Sequence, residues 1–210
     1  MDPRMISGVR IPQAWAGYNT QEPDDFELVH NPLWFTRTYT DASTTTLNFF
    51  DAALATDDLA TNIFPYQNSY LLKALGIYIV NRIETDDMGA SAAAVASAFD
   101  DVQQLINTGV LDFKIGKKDY GPFPLWRLAS GGGVWGVAAA AGAEAANQLS
   151  NYAQVGSPGT DNIYKLAIPV VIPAQTQCTW KMRWPAGAVN LTADRVIKLL
   201  LEGIEARPRQ

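Results

Sequence analysis

Between residues 163 and 185 the chain alternates apolar and other side chains twice over. Tyr164, Leu166, Ile168, Val170 and Ile172 take one set of alternate positions. Cys178, Trp180, Met182 and Trp184 take a second, with Thr179, Lys181 and Arg183 between them. Successive side chains on an extended chain leave opposite faces, so each run predicts a β-strand. The four residues 174–177 are too few for a helix and predict a polar turn. Pro169 and Pro173 fall on the face opposite Tyr164 and Leu166. Lacking the N–H that a ladder needs, they predict a sheet edge or a bend. Faces this rich in aromatic side chains need a second layer to cover them, and an antiparallel β-sandwich is the expected architecture.

The same pattern recurs along the chain. Residues 44–50 predict a strand, with 37–40 pairing nearby, and 70–82 predict a longer one with Leu75, Ile77 and Ile79 on one face. Residues 110–115 alternate, 116–119 turn, and 120–128 predict a proline-interrupted strand. Residues 91–107 predict a helix, because Val95, Phe99, Val102 and Ile106 form one apolar stripe and Gly109 stands where the chain should leave it. The alanine-rich stretch 136–149 predicts a second helix, with an extended loop as the alternative. In the final segment, 189–207, alternation of Ile197, Leu199 and Leu201 predicts a strand, with a helix capped at 192–194 as the alternative. Residues 1–36 show no such period, so they are expected to form an extended N-terminal arm, with the sandwich domain spanning 37–210. No repeat of 20 to 50 residues and no regular interleaving of helices is visible, which argues against solenoids, propellers and parallel α/β folds and for an antiparallel sandwich with a helical insertion.

Composition narrows the chemistry. A chain of 210 residues can bury a sizeable core as one domain, and 12 prolines with 16 glycines suit many short strands. The net charge of −5 argues against an extensive phosphate-binding surface, so no sequence-specific nucleic-acid binding is expected. Cys178 is the chain's one cysteine, on an aromatic face, where it reads as a small buried thiol. His30 is the one histidine and lies in the proline-rich leading segment. A histidine-based triad or a His/Cys metal site therefore has nothing to be built from, and neither catalysis, a cofactor, a metal nor a small-molecule substrate is expected. The acidic pairs 57–58, 86–87 and 100–101 read as solvated turn or helix surface, since adjacent side chains diverge. The glycine-rich 130–136 lacks the lysine and hydroxyl of a phosphate loop. No basic and apolar leader opens the sequence, and its longest apolar stretch, 134–143, is short of the roughly 20 residues that span a bilayer. What stands out is the aromatic load: six tryptophans and eight tyrosines. Trp15, Phe26, Trp34 and Phe35 sit in the aperiodic leading segment and are the expected contacts to another subunit.

The layout resembles the single-jelly-roll capsid proteins of tailless icosahedral viruses and phages. The likeness is carried by a strand at 44–50 after a long irregular arm, the strand–helix–strand passage 72–115, the turn before Pro122 and Pro124, and the paired strands 166–172 and 179–184. The resemblance implies a subunit without an active site that associates with copies of itself, and with other capsid proteins, into a virion shell assembled in the host cytoplasm. Arg4 and Arg10 are too few for a genome-condensing arm, so the arm is expected to tie subunits together or touch an internal membrane. The alternative expectation is a carbohydrate-binding or host-attachment module that uses surface tryptophans as sugar platforms.

Overall fold

The computed structural model describes residues 5–6, 9–10, 26–49, 63–64, 68–80, 92–129, 134–138, 151–155 and 162–208. Among these the chain is mainly β, in antiparallel sheets. The strands are β1 (Met5–Ile6), β2 (Val9–Arg10), β3 (Phe26–His30), β4 (Leu33–Tyr39), β5 (Thr46–Phe49) and β6 (Ser69–Val80). After helix α1 (Ala92–Thr108) come β7 (Val110–Ile115) and β8 (Lys118–Pro124), then a single helical turn, α2 (Leu125–Leu128). β9 (Val134–Ala138), β10 (Asn151–Val155), β11 (Tyr164–Ile172), β12 (Cys178–Arg183) and β13 (Arg195–Pro208) complete the order.

Two sheets make the body. One runs β11-β6-β13, with β3 and β4 both on the far side of β13; the other runs β5-β12-β7-β8. The pairing is nested: β4 with β13, β5 with β12, β6 with β11, and β7 with β8. The chain therefore doubles back on itself as one long hairpin whose tip is the Gly116–Lys117 turn, and successive rungs fall alternately in the two sheets. Gly116 has φ +57°, a conformation that a side chain disfavours. β11 and β12, expected as partners across a polar turn, stand in opposite sheets, and that turn carries the chain from one layer to the other.

The strand period explains the core. On β13, Ile197, Leu199 and Leu201 are fully buried while Lys198 between them is exposed. On β12, Cys178, Trp180 and Met182 point inward. One aromatic from each of three neighbouring strands falls opposite the next: Phe49 faces Trp180, and Trp180 faces Phe113. Phe113 stacks on Trp180 with centroids 4.4 Å apart and on Tyr120 at 4.8 Å. Val102, Leu105 and Ile106 of α1 close one end, where Trp184 donates to the Leu105 carbonyl at 3.2 Å. Gly109 follows that helix, where a β-carbon would stand 2.5 Å from Leu125 and 2.8 Å from the Trp184 indole, so no side chain fits there.

Four expectations need correction. The boundary placed at residue 36 falls inside β4, and residues 26–30 are already a strand. β3 and β4 keep a single register on β13, Leu33 against Leu201 and His30 against Ile204, so they are one edge strand interrupted at Asn31 and Pro32. The Tyr70 hydroxyl lies 2.8 Å from the Asn31 carbonyl and 3.0 Å from that of Leu201, holding the interruption against the sheet. Residues 120–128 are strand only to Pro124, after which α2 turns the chain. The alanine-rich 136–149 begins as strand β9, paired with β10, and its remainder from 139 lies outside the described residues. Last, Asp101 is buried rather than solvated: it accepts from Arg195 at 2.5 and 3.1 Å and from the Thr192 hydroxyl at 2.6 Å. The acidic pairs 57–58 and 86–87 and the glycine-rich 130–133 lie outside the described residues.

Candidate functional site

Each sheet has one edge on the same side of the sandwich: β8 ends one, β11 the other. Between them opens a cleft of about 980 Å³. Its floor continues the aromatic row of the core, since Tyr120, stacked on Phe113, is half-buried and lines it. Phe123 from β8 meets Tyr164 from β11 at 6.0 Å, so one aromatic contact bridges the two sheets. The Arg127 guanidinium of α2 lies 4.9 Å over the Tyr164 ring. Such a placement favours the cation through the negative face of the ring.

The β11 wall is irregular for a reason visible in its register. Lys165 pairs with Ala74 and Val170 with Leu72, so the four residues 166–169 stand against Lys73 alone. A stretch with surplus length must bow away from its neighbour, and Ile168 at its crest is 81% exposed. Pro169, within the bow, fits the bend that its position predicted. At the mouth, Lys117 and Lys118 project from the β7–β8 turn. Both are exposed, and among the described residues no acidic side chain lines the cleft. The nearest sequence neighbour of opposite charge, Asp119, is paired with Lys114 at 3.1 Å. An apolar, aromatic-walled trough with a positive lip is suited to holding an extended, apolar and negatively charged segment.

The four residues expected at a subunit interface are not brought together. Trp15 lies outside the described residues. Phe26 is the first residue of β3, opposite Pro208. Phe35 has no exposed surface: period two turns it inward with Leu33 and Tyr39, so it belongs to its own core and, contrary to expectation, is no interface residue. Trp34 is turned outward by the same alternation and is 43% exposed, on the face that also carries Leu28, 48% exposed. Neither lines the cleft. His30 hydrogen-bonds through Nε2 to Oε1 of Glu202 on β13 and is mostly exposed. Cys178 is buried, and desolvation pushes its thiol up to about 12 from an ordinary 9.0, so it stays neutral. Among the described residues no three His, Cys, Asp or Glu side chains stand together as a metal would need, and no helix is long and apolar enough to cross a membrane.

The cleft was not foreseen. Its walls come from segments some fifty residues apart, brought together by the way the two sheets stack, and nothing in either segment alone marks it. The signals present were Pro169, which set an edge or bend, and two adjacent lysines at a turn. Compared with known proteins, the chain matches no family model, no curated protein and no solved structure.

Proposed function

We propose that this chain is a structural subunit: a single jelly roll that associates with copies of itself into a closed capsid shell. The observation that carries the reading is the nested pairing of β4–β13, β5–β12, β6–β11 and β7–β8 across two sheets of alternating rungs. Eight strands paired in this nested order support a jelly-roll plan, of the kind that capsid and lectin domains share. Because that plan hosts several functions, surface features must weigh between them. Ile168, Trp126, Leu28 and Trp34 leave large apolar surface in water, the kind of surface that subunit contacts cover. Other capsid proteins and an internal membrane are further partners that this reading admits, with the virion as its location.

The second reading, a carbohydrate-binding or attachment module, is favoured by one observation. Tyr120, Phe123 and Tyr164 present rings to an open cleft. Against it, the cleft offers few polar groups to meet sugar hydroxyls, and a sugar site depends on such groups for orientation. Electron microscopy of the concentrated, purified protein separates the two. Closed particles of uniform size are expected. A dispersed monomer that a glycan column retains would favour attachment and overturn the shell.

A further inference from the structure

We infer that the β8–β11 cleft is the receptor for residues 11–25 of a second copy of this chain, seated along β11. This inference rests on the self-association proposed above and names the surface and the partner segment.

Charge is the first argument. Among the described residues that line the cleft two are charged, Lys117 and Lys118, and both are positive. The segment 11–25 contains Glu22, Asp24 and Asp25 and no basic residue. In a protein of net charge −5 a groove with a positive lip is a local exception, and an acidic segment of the same chain complements it. Shape is the second. The trough is walled by Phe123, Tyr164 and Ile168 and floored by Tyr120, while the segment carries Trp15 and Tyr18, flat side chains that fill such walls at low entropic cost.

Backbone chemistry is the third argument. Among the described residues β11 ends its sheet, and its regular stretch 170–172, paired with β6 on one side, offers the other side to an added strand. β8, across the cleft, carries two prolines, Pro122 and Pro124, against the single Pro169 of β11, and is the poorer template. Reach is the fourth. The segment leads into β3, which lies at the edge of its sheet opposite β11. Fifteen extended residues reach about 50 Å, enough to arrive at an adjoining copy.

The test uses full-length variants and a labelled peptide of residues 11–25. Lys117→Glu/Lys118→Glu and Glu22→Lys/Asp24→Lys/Asp25→Lys each reverse one partner. Each alone is expected to lose association in sedimentation velocity while keeping a wild-type circular dichroism spectrum. An equimolar mixture of the two should recover association, because each then supplies what the other lacks in trans. The peptide, titrated by anisotropy into the arm-reversed variant, should bind at least tenfold more tightly than to a variant that also carries Lys117→Ala/Lys118→Ala. That milder pair keeps the comparison open should the glutamate variant misfold. Equal peptide affinity in the two, or a mixture that stays dissociated, overturns the inference. Normal particles formed by the lysine-reversed variant overturn it while leaving the shell intact. A wild-type chain that stays monomeric yet binds the peptide through its lysines removes the shell and upholds the cleft's preference for this segment.

Discussion

Asp101 sets charge against burial more sharply than any other described residue. It is 2% exposed, its partner Arg195 is 6% exposed, and together with Thr192 they tie α1 to the start of β13. Such a pair adds little net stability, but removing one member strands the other in a medium that solvates it poorly. Asp101→Ala should therefore cost about 3–5 kcal/mol in urea unfolding, while a joint Asp101→Leu/Arg195→Met exchange should cost far less. The adjacent pair 100–101 looked like surface because the partner lies 94 residues on. The available signal was that Asp101 sits one turn before Leu105, on the apolar side of the helix. Cys178 and Trp180 were legible, since period two on one strand is enough to say which way a side chain points. The thiol supports a pH prediction. The folded chain holds its proton up to about 12, whereas the unfolded chain releases it near 9.0. Between those values the unfolded state binds fewer protons, so stability falls as pH rises, and below 9.0 this thiol adds no slope. Urea midpoints measured from pH 8 upward should fall more steeply for the wild type than for Cys178→Ala.

At the scale of elements, strands with long unbroken alternation were readable: β6, β7, β11, β12 and β13 all fall where the pattern placed them. What escaped notice was a strand broken in its middle. β3 and β4 alternate on either side of Asn31 and Pro32, and a proline at that point disguises two short runs as an aperiodic arm. Only the unbroken register on β13, with Tyr70 holding the gap, joins them. A chain begun at Arg37 would lose β3 and the buried Leu33 and Phe35. At about 1.5–3 kcal/mol for each buried side chain, together with an uncovered β13, this consumes much of the 5–15 kcal/mol that holds an ordinary domain. We expect the chain begun at Phe26 to give a cooperative thermal transition and the one begun at Arg37 to give none. A sharp transition from the shorter chain would show that β3 and the first half of β4 are dispensable. Trp180→Ala, which removes the centre of the aromatic row Phe49–Trp180–Phe113, should cost about 3–5 kcal/mol, read as a lower melting temperature.

Over the whole molecule, the sequence could indicate strands and a sandwich but not which strand meets which. Partners in the nested plan are as far apart as β4 and β13, and each strand's pattern records only that one face is buried. The cleft between β8 and β11 inherits the same opacity, because it exists only once two sheets are stacked with those edges together. On the proposed reading, a chain with large apolar side chains in water is expected to be driven toward association by burying them, and salt should modulate the step through the lysines at the cleft mouth. Solution mass is the most direct measure of whether this chain builds something. The single chain weighs 22.9 kDa. Light scattering coupled to size exclusion, run over a hundredfold range of concentration, should give a discrete species many times that mass which grows at the expense of the monomer. A mass that stays at 22.9 kDa across the range would contradict the account.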